Sequence, residues 1–263
     1  MFLGAMLIVV GASFISLRWL QGSNNLDSYY YPAPTLYSDA VIVYLKGGSK
    51  QHAEAFKRAV EDWDEAVEQF NRLKDMECSI LRVLGCSSCL REPRLPRISV
   101  AEGGGYNVLV EYVDEMPVGN IAAYTEPYLN GSIVARIVIW AKIPEHRAYQ
   151  VAVHEIARLY GVDIPEVHRT LFGAVPAGSD TSKLNPSMEQ FMNGPPDPIK
   201  PTTLDLYTAF EALKNPEGGV FNMEPGTVFR AYDEPDFTIP TLASPALIVS
   251  GLYILSRGWR YAG

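Results

Sequence analysis

The central region of the sequence contains no lysine- or arginine-rich cluster, and neither an acidic nor a basic tail, an internal repeat or a low-complexity run appears anywhere. With a formal net charge of −8 over 263 residues, the missing basic footprint argues against a nucleic-acid partner. Cysteine is scarce. The three present, Cys78, Cys86 and Cys89, crowd into one short stretch. They lack the distant second pair that makes zinc-ribbon spacing specific. In an extracytoplasmic setting the expected arrangement is a disulfide from Cys78 to Cys86 or Cys89 with one thiol left over, and a CxxC metal knuckle is the second reading.

Charge is also missing from two long runs. Residues 1–17 hold no charged side chain, and as a helix they would reach about 25 Å, short of a bilayer core of ~30 Å. Residues 1–20 are therefore expected to be a signal peptide or an N-terminal membrane anchor. No small-residue cleavage site and no preceding basic residue decides between the two. Near the other end, residues 237–256 are uncharged and are followed by Arg257 and Arg260. That length spans a membrane, and the following cations favour a cytoplasmic C-terminus with the rest of the chain outside. A hydrophobic element docked on the domain is the alternative. Residues 21–38 then read as a stalk or as a segment packed over the domain surface, 39–215 as one domain, 216–236 as a linker and 237–257 as a transmembrane helix.

Between these ends 48% of the whole chain is hydrophobic, enough for one sizeable core. The pattern reads α/β. A β-rich run at 40–46 stops at Gly47 and Gly48. A helix over 52–73 follows, in which Ala55, Phe56, Ala59, Val60, Trp63, Ala66, Val67 and Phe70 recur at helical spacing. Trp63 and Phe70 are expected in the core. Strands are expected at 97–100 and 107–113, then a hairpin of 120–128 and 132–140 around an Asn130-Gly131 turn. Asn130-Gly131-Ser132 is also an N-glycosylation sequon.

The stretch at 151–162, VAVHEIARLYGV, carries the chemistry. On a helix His154 and Arg158 share one face, and Gly161 suits a left-handed C-terminal stop. In an HExxH helix two histidines at i and i+4 grip zinc and the glutamate between them acts on bound water. Here Arg158 stands in place of the second histidine. A guanidinium stays protonated and has no lone pair for a metal. Arg158 is expected either to lie near Glu155, three positions away, and keep that carboxylate ionised, or to point to solvent as an ordinary surface residue. His52 and His146 have no ligand spacing and are expected at the surface or at helix ends.

The ordered set of a strand, a long helix with a buried tryptophan, two strands, a hairpin and an HE-bearing helix resembles the matrixin branch of the metzincin zinc endopeptidases. Met192, or Met188, before the segment PTTLDLYTAFEAL is similar to the family's methionine turn and final helix. The resemblance covers roughly 40–213. It implies an α/β (α+β) domain with a twisted mixed sheet, a long helix after the first strand, an active-site-type helix and a small C-terminal subdomain.

The family motif HExxHxxGxxH falls on His154, Glu155, Arg158, Gly161 and Ile164, so two of three zinc-ligand positions are lost. The resemblance then implies a membrane-anchored, extracytoplasmic pseudopeptidase that keeps a cleft for an extended peptide or protein partner. The strand carrying Asn120 and Ala122 would serve as the peptide-binding edge. The alternative is an active zinc endopeptidase with displaced ligands, His154, His168 and Asp163, in which Glu155 activates water and zinc polarises the scissile carbonyl. A structural cell-envelope scaffold is the third reading.

Overall fold

The computed structural model describes residues 26–83, 92–115, 121–163 and 200–223. The expected membrane segments at 1–20 and 237–257 lie outside these, as do Cys86, Cys89, Asn120, Ile164, His168, Met188 and Met192. Among the described residues no helix is long and apolar enough to cross a membrane.

Five strands form one mixed sheet: β2 (Ala40–Lys46), β3 (Arg97–Val100), β4 (Val108–Val113), β5 (Ala123–Asn130) and β6 (Ile133–Trp140), in the order β3-β2-β4-β6-β5. The first four neighbours run parallel and β5 returns antiparallel to β6. The strands are rich in Val, Ile and Tyr, residues that fit a pleated, half-buried surface. Val41, Val43, Val108, Val110, Ile137 and Ile139 are fully covered or nearly so.

Helix α1 (Lys50–Val83) and helix α2 (Glu145–Leu159) pack together. The stripe Phe56, Ala59, Val60, Trp63, Ala66, Val67, Phe70 is buried, as its spacing predicts. The helix runs ten residues beyond Leu73, because Lys74, Asp75 and Glu77 continue a good helical sequence, Lys74 pairing with Glu77 and Glu92 and Asp75 with Arg94. Cys78, in this extension, is disulfide-bonded. Helix α3 (Thr203–Lys214) starts from a capping box, in which the buried Thr202 and Asp205 side chains satisfy each other's backbone amides.

Of the two readings of residues 21–38, a stalk or a segment packed over the domain, the described part follows the second: from Leu26 onward it belongs to the fold. β1 (Leu26–Tyr30) pairs antiparallel with β7 (Gly219–Met223), which occupies part of the expected linker. A short 3-10 turn at Pro34–Tyr37 then buries Ala33, Thr35 and Leu36 against β6 and α2. Apolar Leu36 and Ala33 gain more from this burial than an extended tether would give them.

The hairpin loop also shifts by one residue. Asn130 pairs with Ile133, so the two-residue loop is Gly131-Ser132, with Gly131 at φ 62° taking the left-handed position. His52 sits at a helix start as expected but is buried, its Nε2 2.9 Å from the Ile143 oxygen and its ring stacked on Tyr112. His146 is exposed.

Candidate functional site

Helix α2 sets the site. Its last two turns present His154, Glu155 and Arg158, and Gly161 at φ 75° ends the helix in the left-handed conformation its sequence predicts. The chain leaving the helix is held by the N-terminal strap. Tyr31 N–H donates to the Gly161 oxygen at 2.9 Å, and Asp163 N–H donates to the Tyr29 oxygen at 2.8 Å. The Tyr31 hydroxyl donates to the Arg158 oxygen at 2.7 Å, and Thr35 donates to the Leu159 oxygen. Orphan carbonyls at the helix end are thus satisfied by residues more than a hundred positions away. Burial pushes the Tyr31 phenol up to about 12, further from ionisation than an ordinary tyrosine.

Arg158 takes a different partner from the one expected. Its Nε donates to His154 Nε2 at 3.2 Å. Arginine can only donate, so that ring nitrogen must present its lone pair to the guanidinium. Arg158 Nη1 also lies 3.7 Å from Asp163 Oδ1, an ion pair whose side chains are 32% and 50% exposed. At such exposure the pair contributes only ~0–1 kcal/mol.

Glu155 is 3% exposed. The Thr125 hydroxyl on β5 donates to its Oε2 at 2.6 Å and lies 3.2 Å from its backbone oxygen. Burial raises the Glu155 carboxyl above its ordinary range, and Arg158 and the Thr125 hydrogen bond pull it down only in part. Arg158 thus favours the charged form of Glu155, as expected, but loss of water around the carboxylate outweighs it and leaves the carboxyl raised.

A carboxyl raised by burial stabilises the fold fully below its unfolded pKa of about 4.3 and loses that contribution as pH rises through the folded value. Glu155→Gln should therefore gain stability relative to wild type as pH is raised from 4 to 8. Chemical denaturation at a series of pH values checks this. Parallel stability curves for the two proteins would remove the raised carboxyl.

The donor chemistry of the described residues does not fit zinc. The lone pair that His154 would offer accepts the Arg158 N–H, and Asp163 faces the same guanidinium. A fixed cation a few Å from both opposes a second one. Among the described residues no group of three His, Cys, Asp or Glu side chains is gathered for a metal.

The sheet edge beside this site is β5. Trp140 N–H donates to the Ala122 oxygen at 2.9 Å. Since hydrogen-bonded and open positions alternate in an antiparallel pair, Tyr124 and Glu126 also face β6, while Ala123, Thr125 and Pro127 turn their backbone outward. No described strand pairs with that outer side. Pro127, which has no N–H, stands at an outward position that tolerates it. The edge thus begins at Ala123, one residue beyond Ala122.

A cavity of about 130 Å³ lies between this edge, the strap and the helix end, lined by Tyr31, Thr35, Thr125, Pro127, Arg158 and Leu159 among others. A larger open groove of about 540 Å³ runs along β3 and α1. Its Arg94 and Arg97 are already paired with Asp75, Asp64 and Glu68.

Thr125 and Tyr31 were not legible as site residues. The alternation of β5 puts Thr125 on the same face as Ala123, but nothing in the sequence pairs it with Glu155. Tyr31 meets Arg158 across 127 positions. Comparison with protein families, curated proteins and solved structures gives no match.

Proposed function

We propose that this chain is a membrane-anchored pseudopeptidase of metzincin type, which binds an extended peptide along β5 and does not cleave it. The observation that carries the reading is the Arg158–His154 hydrogen bond, which uses the lone pair a zinc ion would need. Two features support it. The HE-bearing helix follows a hairpin whose first strand is the antiparallel edge of a mixed sheet. Thr125 joins that edge to Glu155, so the glutamate serves to hold the edge strand against α2. Outward N–H and C=O groups at Ala123 and Thr125 give an added strand its main-chain hydrogen bonds.

Zinc titration with thermal melting tests the reading. Wild type should show no zinc-dependent shift and no chelator-sensitive peptide cleavage. Arg158→His recreates two histidines at i and i+4 and should gain stability on adding zinc, up to ~2.7 kcal/mol at a hundredfold excess over Kd. Stoichiometric zinc in the wild type, with cleavage abolished by chelator, would instead establish the displaced-ligand endopeptidase. The peptide edge is tested by Ala123→Pro. This removes an outward N–H without taking a β6 hydrogen bond, so peptide binding should fall at least tenfold while the melting transition stays cooperative.

A further inference from the structure

The hairpin tip carries chemistry that the cleft does not use. We propose that Asn130 is a site of N-linked glycosylation. Asn130-Gly131-Ser132 is the one Asn-X-Ser/Thr triplet in the sequence without proline at its centre, since Asn185-Pro186-Ser187 fails that requirement.

The fold presents this triplet outward. β5 ends at Asn130 and β6 begins at Ile133, so the acceptor amide and the Ser132 hydroxyl flank a single glycine in a two-residue loop. Asn130, Gly131 and Ser132 are all exposed, and nothing stands within 4 Å of the place a Cβ on Gly131 would take. Asn130 Nδ2 lies 3.5 Å from the Tyr128 hydroxyl, at the outer limit of a hydrogen bond. Ser132 Oγ donates to the Tyr106 oxygen at 3.2 Å in an exposed contact. Both side chains make only exposed contacts, so the acceptor amide and the hydroxyl face solvent at the end of the hairpin.

An independent observation concerns the compartment. Cys78 is disulfide-bonded, and disulfides form and persist on the oxidising side of a membrane. N-linked oligosaccharide is transferred on that side too. In the transfer, Asn130 Nδ2 attacks the anomeric carbon of an oligosaccharide carried on a lipid pyrophosphate. A C–N bond forms as the C–O bond to pyrophosphate breaks, the lipid pyrophosphate leaves with the electron pair, and one Nδ2 proton passes to a base of the transferase.

A glycan here has a physical use. Leu129, beside the acceptor, is 84% exposed on an edge strand, and an apolar edge is a template for association with another chain. Pro127 already denies an N–H to such pairing, and a glycan at Asn130 covers the remainder up to the tip. The open edge is then confined to Ala123–Thr125.

The full chain, expressed through the secretory route of an N-glycosylating cell, tests the proposal. Intact mass should fall by one glycan after treatment with an asparagine-specific glycosidase. N130Q and S132A should lack that increment, and S132T should keep it, while all three retain the wild-type melting midpoint. Disulfide mapping on the same sample reports the compartment. A bare Asn130 in chains whose Cys78 is oxidised would overturn the proposal. Fully reduced Cys78 would overturn it as well, by removing the oxidising compartment on which it stands.

Discussion

Gly161→Ala should destabilise the domain by about 4 kcal/mol, near the upper end of single-substitution effects. Two costs combine. The left-handed conformation, φ 75°, charges a side-chain-bearing residue ~1–2 kcal/mol. A Cβ at this position would also stand 2.4 Å from the Tyr31 backbone oxygen, and a backbone pinned by its own hydrogen bond to Gly161 cannot swing aside as a flexible side chain can. The strap must shift, loosening the Tyr31–Gly161 and Asp163–Tyr29 hydrogen bonds, each worth about 1 kcal/mol. Gly131→Ala supplies the control. Its φ is similar at 62° but its surroundings are open, so only the conformational cost of ~1–2 kcal/mol applies. Urea denaturation of both variants separates the terms. Equal losses at the two glycines would show that the strap does not press on the helix end.

Gly161 also marks where sequence reading stops. Its left-handed turn was legible, because a glycine after a helical run has a local explanation. The Tyr31 oxygen that forbids a side chain there was not, because the contact joins positions 130 apart. The same division runs through the fold. β2, β3 and the buried stripe of α1 announce themselves by period and by their glycine boundaries. β1 and β7, LDSYY and GVFNM, are five residues each and lack a clean alternation, so their pairing is fixed by packing around α3 and could not be read from either alone.

At the site, the loss of the histidine at Arg158 was plain. The partner of Arg158 was not. A spacing of three placed Glu155 within reach and a spacing of four placed His154 there equally; the hydrogen bond goes to His154, while the Glu155 carboxylate turns to Thr125. Membrane attachment stays an expectation from residues 1–20 and 237–257, outside the described part of the chain.

Trp63→Ala should cost ~3–5 kcal/mol, as removal of a fully enclosed large aromatic does where neighbours cannot collapse into the space. Trp63 is wholly buried on α1, its ring stacked on Tyr160 with centroids 5.2 Å apart and planes 10° from parallel. Its Nε1 donates to the Val153 oxygen at 3.1 Å, on the residue just before His154. Tyr160 in turn donates to the Pro96 oxygen at 2.8 Å. The tryptophan therefore fixes both ends of the site-bearing part of α2 against α1, and Tyr160 carries that fixation across to the segment leading into β3. Trp63→Phe keeps most of the volume and loses the N–H donor. The Val153 oxygen lies within the helix and keeps a backbone partner there, so this variant should lose about 1–2 kcal/mol. If the site is held by this packing, Trp63→Ala should weaken peptide binding at β5 more than Trp63→Phe does, at a denaturant concentration where both remain folded. A loss of less than about 1.5 kcal/mol in Trp63→Ala would mean that α1 and α2 repack around the hole, and that the position of His154 and Glu155 is set by the strap alone.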